Sequence, residues 1–272
     1  MSPRLLIGTA LLAACMQSVA LAQSAEPATQ KVFVPTVGQA GKDVIWVPTD
    51  QALVDRMLDM AKLTPQDYLV DLGSGDGRTV ITAAKRGSRA HGIEYNPDMV
   101  ALSRMMAEKE GVTGKATFEQ ADIFESDFSD ADVVTMFLLP SLNLKLRPTL
   151  LDMEPGTRVV TNSFTMEDWT PDETYDAGQG CSSFCRAYLW IVPAKVEGTW
   201  QLGNGTLQLK QTFQMLEGTL REGGKETPIT DARLNGKQIS FSAGGNRYTG
   251  TVEDKGMTGK MNDATAWSAS RQ

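Results

Sequence analysis

The chain has 272 residues, 41% of them apolar and 22% charged, with a formal net charge of −7 and a single histidine. That length holds one large or two modest domains with a buried core, and the acidic balance argues against a nucleic acid partner, whose phosphate backbone it would repel. One histidine leaves serine–histidine hydrolysis without a good candidate, and Cys181 and Cys185 with the distant His91 do not supply the four ligands of a zinc site, so no metal is expected.

Arg4, the almost wholly apolar run Leu5 to Ala14 and then Ala20-Leu21-Ala22 give the charged start, apolar middle and small-residue cleavage site of a secretory signal. Residues 1–22 are therefore expected to be a signal peptide cut after Ala22, leaving an exported, periplasmic chain. A competing cut exists, because Leu12-Ala13-Ala14-Cys15 resembles a bacterial lipoprotein box that would leave Cys15 lipidated. The apolar stretch is too short to span a bilayer comfortably and no later stretch is long enough, so no transmembrane segment is expected after signal removal.

Residues 23–45, with Pro35, Gly38 and Gly41 among mixed polar residues, read as an N-terminal arm or linker. Thr49 or Asp50 then caps a predicted helix from Gln51 to Leu63, where Leu53, Met57, Leu58 and Ala61 recur at helical spacing.

The most informative segment follows. In Tyr68 to Arg78 an apolar run ends in Asp71, and a turn dense in glycine (Gly73, Gly75, Gly77) opens a helix. Glycines let the backbone turn tightly and come close to a ligand, and the amides of the helix start are expected to face outward. A dinucleotide fingerprint would place glycine after Gly77, but Arg78 stands there, and the lysine and hydroxyl of an NTPase phosphate loop are also missing. The turn resembles the first motif of class I S-adenosylmethionine-dependent methyltransferases.

Two more acids follow predicted strands. Ala90 to Glu94 ends in an acid 23 residues after Asp71, near the spacing at which a carboxylate meets ribose hydroxyls. Ala116 to Ile123 carries Asp122. Each acid alone also suits a helix cap or a solvated strand end; three at successive strand ends point to one nucleoside. His91, inside the second strand, reads as a packed histidine, and Met99, Met105 and Met106 of the next helix read as core filler.

Ala131 to Pro140 is a nearly continuous apolar run, as a strand buried on both faces requires. Leu142 to Met153 reads as a helix and Thr157 to Thr161 as a fifth strand. Glu173 to Tyr175 and Ala187 to Val192 resemble a closing antiparallel pair, joined through Cys181 and Cys185. Those cysteines form an even pair in a disulfide-permissive compartment, but bonding them requires a turn that brings their Cα atoms within about 7 Å; two free thiols are the alternative. The expected fold is α/β, a doubly wound, mostly parallel Rossmann-like sheet over residues 46–193 with an antiparallel last strand. Beyond it, nearly half of the 25 glycines punctuate short alternating runs. Residues 194–272 thus read as a small all-β domain, a meander, barrel or sandwich of about eight strands with Trp200 and Trp267 in its core.

With Trp46-Val47-Pro48-Thr49, the glycine turn, Gly92 to Pro97 and Phe137-Leu138-Leu139-Pro140 in order, the chain looks like bacterial relatives of the mitochondrial protein-lysine methyltransferases that modify the ATP synthase c subunit and the adenine nucleotide carrier. The resemblance covers about residues 45–193. It implies S-adenosylmethionine as cofactor, with Gly73, Ser74, Gly75 and Gly77 around its methionine portion, Asp71 fixing the loop, Glu94 and Tyr95 at the ribose, Asp122 and Ile123 at the adenine, and Pro48 and Thr49 as a lid. It also implies a protein substrate, methylated on a lysine amine. The sequence departs from the family where an Asp or Asn often precedes Pro-Pro-Tyr after the fourth strand. That place is Phe137 to Pro140 here, so no catalytic base is identified; Asn162, Ser163 and Tyr95 are the polar candidates. A binding module on the same scaffold and a small-molecule O-methyltransferase remain as alternatives.

Overall fold

The computed structural model describes residues 33–178 and 181–272. The expected signal peptide, the expected cut after Ala22 and the alternative cut at Cys15 lie outside the described residues.

Helices and strands alternate through the first half: α1 (Gln51–Met60), β1 (Tyr68–Leu72), α2 (Arg78–Lys85), β2 (Arg89–Glu94), α3 (Pro97–Lys109), β3 (Ala116–Gln120), β4 (Val133–Met136), α4 (Pro140–Leu151) and β5 (Arg158–Asn162). Two further strands, β6 (Glu173–Asp176) and β7 (Arg186–Ile191), complete a sheet of order β3-β2-β1-β4-β5-β7-β6. β1 to β5 are parallel, and β7 runs against both β5 and β6. Because β1 is followed by neighbours on one side and β4 and β5 lie on the other, strand order reverses between β1 and β4. Crevices open at such a point, beyond the carboxyl ends of the strands.

Successive residues of the central strands feed opposite faces. Leu69, Val133 and Val160 join α1 and α2 in one core, while Val70, Val134 and Val159 join α4 and Trp190 in the other. Every side chain of β4 is buried, which explains a sequence apolar but for Thr135. Asp50 caps α1, its Oδ1 accepting from the Ala52 amide at 2.9 Å, and the Asn96 side chain accepts from the amides of Asp98 and Met99 to start α3. α4 begins at Pro140, two residues before its expected start, since proline in the first turn lacks only an amide that has no helical partner there. Met99 is buried, but Met105 is exposed and is not core filler.

The sheet type changes after β7. The strands β8 (Gly198–Leu202), β9 (Gly205–Thr212), β10 (Met215–Glu222), β11 (Lys225–Pro228), β12 (Thr230–Asn235), β13 (Gln238–Ala243), β14 (Asn246–Val252), β15 (Gly256–Met261) and β16 (Thr265–Arg271) form a C-terminal antiparallel β domain. All but β11 close into a ring, β16 returning to β8 and β9 pairing with β10; β11 hangs on β10 alone. The seam between β10 and β12 is narrow, resting on the Met215–Arg233 pair. Trp200, Leu234, Phe241 and Met257 are fully buried inside. Phe241 stacks on Tyr248 at 4.7 Å, and Trp267 meets both rings edge-on. Part of the glycine enrichment is steric: a Cβ on Gly218 or Gly259 would lie 1.9 Å from a backbone oxygen of the neighbouring strand.

The barrel is fastened to the parallel sheet through polar contacts. Gln214 accepts from the Trp169 indole at 3.0 Å and donates to the Thr170 carbonyl at 2.7 Å. Arg233 pairs with Asp172 at 2.7 Å, and Asp172 also accepts from the Ile191 amide.

Candidate functional site

A cavity lies over the carboxyl ends of β1, β2 and β4, where the strand order reverses, with residues between Gln39 and Leu142 on its walls. Its floor is the turn from β1 into α2. Gly73, Gly75 and Gly77 all have positive φ, 77°, 54° and 78°. The amides expected to face outward do not: those of Gly73 and Ser74 both donate to the Ile93 carbonyl, that of Gly75 to Glu94 and that of Gly77 to Ser74. The turn therefore offers close approach rather than a row of free donors. Gly75 shows the closeness, because a Cβ there would lie 2.7 Å from the Trp46 indole nitrogen. Gly77, expected in the cradle, is not among the lining residues. It caps α2, and a Cβ on it would strike Phe118 and Ser103 at 2.7 and 2.8 Å, so glycine is needed there for packing behind the turn.

Asp71, Gly73, Ser74, Gly75, Glu94, Tyr95, Asp122 and Ile123 all line the cavity. Asp71 is buried and accepts from the Thr135 hydroxyl at 2.6 Å. Burial pushes its carboxyl up to about 7, with Asp76 and Glu94 adding to the rise and the Thr135 bond opposing it. Glu94 bridges two backbone segments, one oxygen accepting from Gly75 and the other from Asn96, each at 2.9 Å. The Ser74 hydroxyl is buried without a protein partner. Asp122 is not at a strand end, since β3 stops at Gln120. It sits in the following turn, accepting from the Phe124 amide at 3.0 Å and pairing with Lys42. That hydrogen-bonded ion pair holds Asp122 below, and Lys42 above, their ordinary ranges.

Lys42 belongs to the segment read as an arm. Residues 38–46 instead form a tight hairpin, with Trp46 donating to Gln39, Gly38 donating to the Trp46 carbonyl and Ala40 bridged to Ile45. The hairpin roofs the cavity, and Lys42 also lies 4.8 Å from the centre of the Tyr95 ring. Gly38, with φ 86°, and Gly41 were the only sequence signals of this reversal. Pro48 and Thr49 continue the roof. The Thr49 carbonyl accepts from Arg78 at 2.6 Å, and its hydroxyl accepts from Asn162 at 3.1 Å. Asn162 in turn accepts from the Ser163 hydroxyl, and neither Asn162 nor Ser163 is among the lining residues. Met99, read as core alone, is both buried and part of the wall. His91 is elsewhere, against the Thr117 hydroxyl at 2.8 Å. Cys181 and Cys185 are bonded, with Cα atoms 5.8 Å apart.

The ANTKMT methyltransferase domain matches residues 71–173, which span the turn, the three acids and the strands through the start of β6. A protein-lysine N-methyltransferase of Saccharolobus islandicus is 41% identical over 152 residues, 55% of this chain and 94% of that protein. The human lysine N-methyltransferase of the ATP synthase c subunit is 37% identical over 153 residues, 56% of this chain but 61% of its own length. Among solved structures, an RNA methyltransferase from Salinibacter ruber in complex with S-adenosyl-L-homocysteine is 46% identical, with a TM-score of 0.52, covering 55% of this chain and 96% of that one. A chain that shares this much sequence, and that carries the glycine turn at the switch point of the same sheet, belongs to the ANTKMT methyltransferase-domain family of S-adenosylmethionine-dependent methyltransferases.

Proposed function

We propose that the protein is an exported methyltransferase that modifies lysine side chains of a protein acceptor. The observation that carries this reading is the cavity at the strand-order reversal, with Asp71, the Gly73–Gly75 turn, Glu94 and Asp122 on its walls, in a chain similar to enzymes named as protein-lysine methyltransferases. The net charge of −7 favours a protein over RNA, whose backbone it would repel.

The cavity suits the cofactor. Gly75 lets the Trp46 indole close over the turn, the Ser74 hydroxyl is an unused donor in the wall, and each Glu94 oxygen, having accepted one backbone amide, keeps a lone pair for a ribose hydroxyl. Asp71 would hold the amino acid portion, a cation there favouring its ionised form. Asp122 and Ile123 would hold the adenine, and Trp46, Pro48 and Thr49 would keep water from the reacting atoms. When bound, S-adenosylmethionine would supply an electrophilic methyl carbon to the amine lone pair, the N–C bond forming in line as the C–S bond breaks and S-adenosylhomocysteine leaves. The protein's part is alignment and exclusion of water.

The acceptor must arrive neutral, at a cost of about 4.6 kcal/mol at pH 7 for an ordinary lysine. Of the three polar candidates, Asn162 and Ser163 are not on the cavity wall and Tyr95 is, so desolvation of the amine and Tyr95 are the means this site offers. The rate should accordingly rise about tenfold per pH unit below the amine pKa. The bonded Cys181–Cys185 pair supports an oxidising compartment and hence export, which fractionation of the source cells would check. The test of function is incubation with methyl-labelled cofactor and an envelope extract, followed by acid hydrolysis. Label in N-methyl-lysine is expected; label in RNA or in non-amine small molecules, with none in lysine, contradicts the reading.

A further inference from the structure

Beside the cofactor cavity lies a second one, and the two share a wall. Val44, Ile45, Val47, Phe137 and Leu138 line both. The outer wall of the second cavity is Leu139, Phe164 and Phe184. Phe137 and Phe184 meet edge-on at 5.0 Å, Phe164 completes the cluster at 6.1 and 6.2 Å, and Ile45, Leu139 and Phe184 are among the large exposed apolar side chains of the protein. An exposed apolar cluster continuous with a reaction site is a place for substrate, not an ordinary surface.

Phe184 is held there in an unusual way. Its φ is +55°, a conformation a bulky side chain adopts only where its surroundings impose it. The Cys181–Cys185 bond closes a short ring through Ser182, Ser183 and Phe184, and the Ala177 amide donates to the Cys185 carbonyl, tying that ring to the β6–β7 connection. The bond and that backbone contact together hold the ring against Phe137.

We infer that Phe184, presented by the Cys181–Cys185 ring, is an acceptor-determining residue: with Phe137, Phe164 and Leu139 it forms the apolar approach along which the methylene stem of an acceptor lysine, with apolar neighbours in its own chain, reaches the methyl group. This rests on the lysine reading above. The stem buries its methylenes against the aromatic wall. The cofactor is held by other residues, and the loop is a positioning device for the acceptor alone.

The experiment uses the full mature chain and a synthetic peptide library with one lysine per peptide, flanked by leucine or by serine. Wild type should prefer leucine flanks. Phe184→Ser should lower kcat/KM for those peptides about tenfold, through KM, with little change for serine flanks. Phe184→Leu should restore most of the preference. The Cys181→Ser/Cys185→Ser double variant should behave like Phe184→Ser, and all three should bind S-adenosylhomocysteine with wild-type affinity, which also shows that they fold. If wild type labels lysine but Phe184→Ser leaves the flank preference unchanged, the inference is overturned and the lysine reading stands. If wild type labels no lysine in the library, the lysine reading itself falls, and the inference with it.

Discussion

At the carboxyl edge of the parallel sheet, β1 and β4 are bonded neighbours, yet the chain leaves them for opposite directions, β1 through the glycine turn and β4 through Phe137 to Leu139. A crevice opens between those exits, and Asp71, Glu94 and Asp122 line it. In the barrel the same chain pairs every strand but β11 with the next through tight turns or across β11, and fills the interior with Trp200, Phe241, Tyr248 and Met257. Parallel connections leave a crevice at one end of the sheet, whereas antiparallel closure spends its side chains on the core. Chemistry should therefore be sensitive at the first place and stability at the second.

The sharpest way to break that contrast is in the barrel. Trp200 is buried, and its indole donates to the Val196 carbonyl at 2.8 Å; Trp200→Ala should lower stability by about 3–5 kcal/mol, read by denaturant unfolding. The affinity of the folded fraction for S-adenosylhomocysteine should not change. A parallel loss of affinity would mean that the barrel shapes the cavity.

The next effect belongs to Asp71. Its folded pKa, about 7, lies above the ordinary 3.8, so between those values the folded state holds a proton that the unfolded chain has released. Stability contributed by this group is full below about pH 4 and is lost as pH rises toward about 7. Asp71→Asn should remove that slope and make the ligand-free protein more stable than wild type at pH 8, by an amount on the order of a few kcal/mol. Unfolding curves from pH 5 to pH 8 check it. An unchanged slope would place the titration elsewhere.

The smallest effect separates floor from roof. The floor is bonded into the sheet through Ile93 and Glu94, whereas the hairpin is tied across the cavity through the half-exposed Lys42–Asp122 pair. Lys42→Met should speed release of S-adenosylhomocysteine about two- to fivefold, the scale of a partly solvated ion pair, with less effect at high salt. Stopped-flow displacement reads this.

How much the sequence revealed divides along the same line. The floor was legible because Asp71 and Glu94, at or beside the ends of β1 and β2, and a turn crowded with glycine leave a local pattern. So was the barrel, through its alternating runs and recurring glycines. What could not be read depends on distant partners. The hairpin over the cavity is specified by Trp46 meeting Gly75 and Lys42 meeting Asp122, contacts between residues 29 and 80 positions apart. Nor could spacing show that the turn's amides would be consumed by Ile93 and Glu94, or that Gly77 serves Phe118 rather than a ligand. The apolar approach past Phe184 was hidden likewise, since Phe137, Phe164 and Phe184 come from three separate connections.

The central claim is that Glu94, braced by the amides of Gly75 and Asn96, anchors the cofactor at the strand-order reversal. Calorimetric titration of the protein with S-adenosylhomocysteine, repeated on Glu94→Ala, tests it most directly. The account predicts one site on the parent protein and a loss of roughly 100-fold in the variant, the scale of two charge-assisted hydrogen bonds. Unaltered affinity in Glu94→Ala, with the fold intact, would contradict it.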